Sequence, residues 1–152
     1  MDNQTDNLYQ ADFLIWAERQ VELLRSRQFD QLDLHHLSEE IADMGSQLRH
    51  ELRHRLELLI LHLLKFAYQP QRVSNSWRAT IREQRRRIEL LLDDAPSLAP
   101  RLDQILDTCY RQACLRAVQE TGLPAGTFPA TNPFSREQLL DPAYLPPLPT
   151  DP

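Results

Sequence analysis

Glycine and cysteine are scarce in this sequence, with three and two residues respectively in a chain of 152. The scarcity of glycine argues against β-rich and loop-rich folds. The two cysteines, Cys109 and Cys114, fall on different faces of a predicted helix, so an internal disulfide is not expected. Reduced thiols are typical of the cytoplasm, and we therefore predict a cytoplasmic protein.

Targeting segments and catalytic motifs are also absent. The first twelve residues are acidic and lack the apolar core of a secretory signal. The longest apolar run, Leu58 to Leu64, is interrupted by His62 and is too short to span a bilayer. No nucleophile elbow, P-loop or dinucleotide-binding glycine motif occurs. The sequence predicts no cofactor and no membrane partner, and it favours a protein without catalytic activity.

The spacing of histidines and carboxylates does not predict a metal site. His50 and His54 share one helix face, and Glu51-x-x-His54 matches half of a di-iron carboxylate motif. A second Glu-x-x-His is missing, and neither Cys-x-x-Cys nor His-Glu-x-x-His occurs. The simpler interpretation is a solvated helix face on which Glu51 pairs with Arg55.

Four further residues are candidates for function, although no motif surrounds them: Glu39, Glu40, His62 and Trp77. His62 lies inside a leucine run, where a lone histidine is usually a core residue; a catalytic base is the alternative. Glu39 and Glu40 lie near a predicted helix N-terminus, where carboxylates interact favourably with the helix dipole. A divalent-ion or phosphate-ester site is the alternative for these two glutamates together with Asp43.

Positive charge is concentrated in one segment of an acidic chain. Residues 72–87 carry six arginines against one glutamate, a net +5, which leaves −10 for the remainder of a chain with net charge −5. Guanidinium groups suit phosphate oxygens, so anion or nucleic-acid binding is one hypothesis. Trp77 is the only aromatic residue in this segment, and we favour pairing of the arginines with acidic groups of the chain or of a second subunit. The candidate anion- or partner-binding residues are Arg72, Arg78, Arg82, Arg85 and Arg86.

Apolar periodicity and capping residues predict a first helix from Asp12 to near Arg27. Phe29 is expected to pack the following turn against the core. The predicted inner face of this helix consists of Phe13, Trp16, Ala17, Gln20 or Val21, and Leu24.

A second, long helix is predicted from the Asp33 cap to Gln69, where the following proline stops it. Gly45 is a site for a kink or a break. One continuous apolar stripe follows the whole helix, and it consists of Leu34, Leu37, Ile41, Met44, Leu48, Leu52, Leu56, Leu59, Leu63 and Phe66.

Two more helices and a proline-rich segment complete the prediction. The third helix begins at the caps Ser74–Ser76, and the fourth runs from Ser97 to a stop at Thr121–Gly122. Their inner faces are Trp77, Ile81, Ile88 and Leu91 or Leu92, and Leu98, Leu102, Ile105, Cys109, Ala113 and Ala117. Residues 123–152 hold eight of the eleven prolines, with a short helix predicted at Ser135–Leu140.

These elements predict an all-α fold, an antiparallel bundle of about four main helices with the proline-rich C-terminal segment packed over it. We expect one domain over residues 1–152, with a loose N-terminus at 1–8, the bundle at 9–122 and the wrapping segment at 123–152.

The order of motifs resembles the domain-of-unknown-function family twenty-nine, over roughly Tyr9 to Pro146. The residues that carry the resemblance are Tyr9-x-x-Asp12-Phe13-x-x-Trp16, Leu32-Asp33, Leu37-x-Glu39-Glu40-Ile41, Met44-Gly45, His62-Leu63-Leu64-Lys65, Gln69-Pro70, Ser76-Trp77-x-x-Thr80-Ile81, Pro96-Ser97-Leu98, Glu120-Thr121-Gly122-Leu123, Phe128-Pro129 and Leu139-Leu140-Asp141. The resemblance implies a small, bacterial, largely cyanobacterial, helical cytoplasmic protein. It implies no activity and no catalytic residues.

Three classes of function remain open. The first is a non-catalytic interaction or regulatory module, expected to form a homodimer or to bind another protein. The second is nucleic-acid or anion binding through the arginine-rich third helix. The third is a metal-dependent enzyme that uses the acidic and histidine residues Glu39, Glu40, His50, His54 or His62. We favour the first, because catalytic motifs are missing and helix faces are plentiful.

Overall fold

The structure is a computed structural model that describes residues 8–148, and these residues form helices joined by turns, without a β-strand. The predicted loose N-terminus lies almost wholly outside this range. After one helical turn at residues 8–11, the helices are α1 (Phe13–Arg25), α2 (Leu34–Tyr68), α3 (Asn75–Asp94), α4 (Leu98–Thr121) and the short α5 (Arg136–Leu140). The connections contain 3-10 turns at Phe29–Gln31, Pro70–Arg72 and Ala125–Thr127. The predicted all-α fold with four long helices is confirmed.

Capping side chains explain most of the helix boundaries. Asp12 accepts a hydrogen bond from the backbone of the first turn of α1, and Ser74 does the same for α3. Gly122 ends α4 in the left-handed region at φ 72°, which a residue without Cβ adopts at low cost. Ser135 and Gln138 form the predicted capping box at α5. Ser97 precedes α4, but its side chain makes no capping hydrogen bond.

The helical conformation of α2 continues through Gly45, so the predicted break does not occur there. The chain nevertheless divides into two compact units, the first within residues 1–47 and the second within residues 48–152. The single-domain organisation remains a prediction.

The second unit contains the hydrophobic core. Its fully buried residues come from the later part of α2, from α3 and from α4, as the periodicity predicts. They include Leu52, Leu56, Leu59, Leu63, Phe66, Ile81, Ile88, Leu98, Leu102, Cys109, Ala113 and Ala117. The run around Leu59 to Leu61 is buried on every side, which explains why this part of the sequence has no polar face.

The proline-rich segment packs on this core, as predicted. Phe128, Phe134 and Leu139 are buried among the residues of the bundle. The hydroxyl of Tyr110 in α4 donates a hydrogen bond to the carbonyl of Pro129 at 2.6 Å. The segment therefore belongs to the folded unit up to at least residue 145.

The first unit buries few side chains, and here two sequence-based predictions were wrong. In α1 the buried residues are Trp16, Gln20 and Leu23, and Gln20 is one of the two alternatives expected at its position. The expected inner residues Phe13 and Leu24 are exposed. The predicted helical spacing is right, but the buried face of α1 is narrow, and Phe13 and Leu24 lie to one side of it. Phe29 does not plug the core: its side chain is 58% exposed, because the tight 3-10 turn presents it to solvent.

No helix in residues 8–148 is long and apolar enough to cross a membrane.

Candidate functional site

A buried polar cluster holds the first unit together at the start of α2. Asp33 Oδ2 accepts hydrogen bonds from Trp16 Nε1 at 2.9 Å and from His36 Nδ1 at 2.7 Å. Its Oδ1 caps α2 by accepting from the backbone N–H of His36, and its own backbone N–H donates to Gln20 Oε1. Burial alone raises the pKa of Asp33, but the hydrogen bonds from His36 and Trp16 outweigh it and hold the pKa below its ordinary value. Asp33 is therefore the ionised centre of this cluster.

Tyr9 covers one side of the cluster. Its ring stacks on that of His36, with ring centroids 3.9 Å apart, and lies edge-on to Trp16. Its hydroxyl donates a short hydrogen bond to Glu40 Oε1, and this bond raises the pKa of Tyr9 to about 12. Glu40, a candidate polar residue, thus has a structural partner.

The neighbouring candidate Glu39 lies on the solvent side of the same helical turn. Its Oε1 lies 3.6 Å from Nε2 of His35, and both side chains are exposed. Together with the buried His36, these two residues form a cluster in which each side chain offers one metal-ligating atom. His50 and His54, which the sequence singled out instead, are exposed farther along α2.

Most of the exposed large apolar side chains of residues 8–148 lie in the first unit. We define the α1 face as Leu14, Ala17, Val21 and Leu24, and the α2 face as Leu34, Leu37, Ile41 and Met44. Ala17 and Leu37 are half-buried and the other six are exposed. Ile41, Met44 and Leu34 are each about two-thirds exposed, at 66%, 65% and 67%, so the predicted apolar stripe of α2 is not covered over this part of the helix.

In the arginine-rich helix α3, all three nitrogens of the Arg85 guanidinium donate hydrogen bonds. Arg85 is buried and donates hydrogen bonds to the backbone carbonyls of Leu139, Tyr144 and Gln138 at 2.8, 2.7 and 3.0 Å. Burial lowers the pKa of Arg85, and Asp141 opposes that effect. The sequence led us to expect carboxylate partners, whereas this arginine instead holds the C-terminal segment through backbone carbonyls.

The other candidate arginines, of which Arg72 lies in the turn before α3, have varied surroundings. Arg86 forms an ion pair with Glu83, which also binds Arg87. Arg78 lies over the ring of Phe66 at 5.0 Å, a cation–π contact. Arg72 and Arg82 are exposed. The five candidates therefore do not form one uniform cationic surface.

A groove of about 440 Å³ lies between α3 and the C-terminal segment. Its lining residues are Arg82, Arg85, Arg86, Glu89, Leu92, Asp93, Leu140 and Pro142. The two acidic groups, Glu89 and Asp93, lie about two and three helical turns beyond Arg82 on the same helix, so the groove changes from basic to acidic along its length.

The candidate Trp77 lies beside Lys65 in the second unit, and the candidate His62 precedes Lys65 by three residues in α2. The Lys65 ammonium makes an ion pair with Glu120 at 3.0 Å and lies over the Trp77 ring at 4.8 Å. His62 Nδ1 lies 2.8 Å from the carbonyl of Leu58, one turn earlier. At this distance neutral His62, with its proton on Nδ1, donates a hydrogen bond to the Leu58 carbonyl of the same helix.

We expect His62 to make the stability of the protein depend on pH. Burial lowers the pKa of His62. The hydrogen bond to the Leu58 carbonyl and the charge of Glu120 oppose this effect, whereas the charges of Lys65 and Arg116 add to it, and the pKa stays below its ordinary value. Because the unfolded chain then binds a proton more readily, the free energy of unfolding falls as the pH drops below about 6.5, the ordinary histidine pKa. The measurement is urea unfolding at about pH 7 and pH 5.

The matched variants for this test are His62→Gln and His50→Gln. The first keeps an amide donor for the Leu58 carbonyl but removes the titrating ring, so its pH dependence should be weaker than that of the wild type. The second removes an exposed histidine of the same helix and should leave the pH dependence unchanged. Equal pH dependence in all three proteins would show that His62 is not responsible.

The cysteines do not form a nucleophilic site. Both are free, and Cys109 is fully buried. Burial raises the pKa of Cys109 to about 11, which keeps it a thiol at neutral pH.

Sequence reasoning missed the Asp33 cluster and the acceptors of Arg85. Asp33 was recognised as a cap, but nothing in the pattern indicates that the same carboxylate binds Trp16 and His36. Arg85 binds backbone carbonyls, which every residue has, so the sequence does not indicate which of them it contacts. Only the adjacency of His35 and His36, four and three residues before Glu39, could have drawn attention to the His–Glu cluster.

Comparison with known proteins places this helical chain in a family. The family described as Domain of unknown function DUF29 matches residues 8–145, and the chain belongs to it. The match spans both units, including the Asp33 cluster and the groove beside α3. No curated protein and no solved structure matches the chain.

Proposed function

We propose that this protein is a non-catalytic interaction module that pairs with a second copy of itself through its first unit. The observation that carries the proposal is the exposure of apolar residues on both the α1 face and the α2 face, which belong to the same unit. Exposed apolar residues of this number are a common mark of protein interaction sites. We further propose that the protein is bacterial and cytoplasmic, as its family resemblance implies.

The spacing of both faces fits helix-to-helix packing. Each face repeats apolar residues at intervals of three and four, which is the pattern that packs in bundles and coiled coils. The first unit has only two main helices and few buried side chains, so it gains most from a further layer of helices. A second copy of the same unit supplies two helices with the same spacing and produces a four-helix arrangement.

The charges beside the α1 face favour a second copy in antiparallel orientation. Glu18 and Arg25 are exposed and lie seven residues apart on the same flank of this face. A two-fold axis near Val21 makes the two copies of α1 antiparallel, and the same flank of each helix then faces the other. It therefore brings Glu18 of each copy beside Arg25 of the other. Charged residues in such flanking positions set partner choice and orientation in paired helices.

We expect a single charge in either face to weaken self-association strongly. Val21→Glu and Ile41→Glu each place a carboxylate in the proposed interface, and glutamate is a good helix former, so the monomer should remain folded. A loss of about 2 kcal/mol for each copy of the substitution corresponds to roughly 30-fold weaker association. A two-fold interface contains each substitution twice, so the dimer should be weaker by about 4 kcal/mol in all, on the order of 1,000-fold. The measurement is sedimentation equilibrium, with circular dichroism to verify helix content.

Ala42→Glu is the matched control, because it introduces the same residue at an exposed position next to Ile41 but outside the α2 face. It should associate like the wild type. Unchanged association of both Val21→Glu and Ile41→Glu would remove the first unit as the interface.

A charge exchange tests the antiparallel arrangement and the identity of the partner together. Glu18→Arg and Arg25→Glu should each weaken the dimer, because each places like charges together. The double variant carrying both should associate better than either single variant, because the pairs are restored with reversed sign. A partner other than a second copy does not exchange its own charges, so lack of recovery in the double variant would contradict self-pairing.

The two alternative functions receive less support. Arg85 and Arg86 already have partners, and Glu89 and Asp93 share the groove with Arg82, which is unfavourable for the polyanionic backbone of a nucleic acid. The remaining alternative is an enzyme that uses Glu39, Glu40 or His62. Glu40 and His62 each make hydrogen bonds that have a structural purpose.

A further inference from the structure

We propose that the groove beside α3 binds an extended segment of another protein that carries one acidic and one basic side chain. The groove lies within the second unit, between α3 and the C-terminal segment. The side chains of three charged lining residues, Arg82, Glu89 and Asp93, form no hydrogen bond or ion pair with any other residue of 8–148. The proposal is independent of self-association, which uses the first unit.

The charges of the groove are ordered along α3. Arg86 is paired within its own helix, and Arg85 donates its hydrogen bonds to backbone carbonyls. Arg82 is therefore the guanidinium that is available for a carboxylate, and at the other end Glu89 and Asp93 are available for a cation. This order suits a ligand with charges of both signs, whereas a polyanion or a polycation meets repulsion at one end.

The spacing of these charges sets the separation of the charged groups in the ligand. At about 1.5 Å of rise per residue, Glu89 and Asp93 lie about 10 Å and about 16 Å along α3 from Arg82. An extended chain advances about 3.3 Å per residue, so its acidic and basic side chains should be about three to five positions apart.

The shape of the groove favours an extended chain over a helix or a small molecule. A helix about 10 Å in diameter occupies roughly 1,200 Å³ over a length of about 16 Å, whereas the groove holds about 440 Å³. The described residues of this chain are mainly helical, so a second copy suits the groove less than another protein does. Pockets for small molecules are predominantly apolar and enclose most of the ligand, but here Arg82, Glu89 and Asp93 are exposed.

A smaller cavity of about 90 Å³ continues the groove toward the start of α3. It shares Arg82 with the groove, and its lining also includes the apolar residues Ile81, Ala143 and Leu145. An apolar side chain of the ligand next to its acidic residue can enter this cavity. We therefore expect the segment to carry an apolar residue beside the acidic one, on the side away from the basic one.

The test is a selection of random peptides displayed on phage, with the full-length chain as bait and counter-selection against Arg82→Glu. Counter-selection removes peptides that bind elsewhere, including those that bind the apolar faces of the first unit. Because Arg82 is exposed, the substitution should leave the fold intact, which circular dichroism verifies. The selected peptides should carry an acidic and a basic residue about three to five positions apart. No enrichment, or enrichment without this pair, would overturn the proposal.

Fluorescence anisotropy with the most enriched peptide, labelled and in solution, then measures the contribution of each charge. Arg82→Glu and Glu89→Lys should each weaken binding at least about 10-fold, because each places like charges together. A peptide whose acidic residue is replaced by lysine should regain affinity for Arg82→Glu, since the pair is restored with reversed sign. Lack of this recovery would contradict contact between Arg82 and the acidic residue.

Arg87→Glu is the matched control, because it makes the same charge change at an exposed position of α3 that does not line the groove. It should bind the peptide like the wild type. Equal weakening by Arg82→Glu and Arg87→Glu would reduce the effect to net charge and remove the groove as the site. Val21→Glu separates the two proposals, since it should keep its affinity for the peptide while its self-association is weakened.

Discussion

Replacement of Arg85 by alanine should destabilise the second unit by about 3 kcal/mol or more. Arg85 is buried and supplies the hydrogen bonds of three backbone carbonyls of the C-terminal segment. Hydrogen bonds to charged groups contribute about 1.5 to 3 kcal/mol each, and a buried acceptor left without a donor costs about 1 to 3 kcal/mol. Release of the segment to water recovers part of this loss, but it then exposes the apolar residues that the segment buries.

The measurement for Arg85→Ala is chemical unfolding combined with hydrogen exchange of residues 128–145. Exchange in this segment should accelerate more than exchange in the middle of α4. Arg85→Lys should be intermediate, because an ammonium keeps the charge but lacks the planar fork that reaches several acceptors. Arg82→Ala removes an exposed arginine of the same helix and should change stability by less than about 0.5 kcal/mol. Equal stability of the Arg85→Ala and Arg82→Ala variants would show that the carbonyl contacts do not hold the segment.

Replacement of Asp33 by alanine should open the first unit while the second stays folded. The substitution removes the cap of α2, which contributes about 0.5 to 2 kcal/mol. It also leaves the buried Trp16 N–H and the ring of His36 without their acceptor, at about 1 to 3 kcal/mol for each buried donor. Because the first unit has few other buried residues, this loss is a large fraction of its local stability.

Two observables separate the units in this experiment. Hydrogen exchange should accelerate in residues 13–46 and remain slow around Leu56 and Leu102. The chain has one tryptophan in each unit, so in a Trp77→Phe background the fluorescence of Trp16 should shift to the red as the first unit opens. Asp33→Asn is the control: its amide oxygen still accepts one hydrogen bond, and its effect should be smaller. Unchanged exchange in Asp33→Ala would mean that the polar cluster does not stabilise the first unit.

The sequence was sufficient to predict the second unit because that unit follows short-range rules. Leucine and isoleucine recur at helical spacing in three helices, and Gly122 and the Ser135 capping box mark ends that depend on neighbouring residues only. The buried residues Leu56, Leu102 and Ala113 follow directly from this pattern. Pattern and packing agree here because the predicted inner faces, from Leu52 onward in α2 and in α3 and α4, pack against one another in one core.

The first unit and the candidate sites depend on contacts that no local pattern records. The α2 face reads as a core stripe, and periodicity alone cannot show that Ile41 and Met44 are uncovered. Arg85 reaches carbonyls more than fifty residues away in sequence, and backbone acceptors are identical at every position. Asp33 both caps α2 and accepts a hydrogen bond from Trp16. This second contact can be predicted only when the conformation of the turn between α1 and α2 is known.

Sedimentation equilibrium of the wild-type chain over a range of concentrations tests the central claim most directly. A reversible transition between the monomer mass and twice that mass is the predicted result, with Val21→Glu shifted toward monomer and Ala42→Glu unchanged. A wild-type chain that stays monomeric at every concentration, or a dimer that Val21→Glu and Ile41→Glu leave intact, would contradict self-association through the first unit.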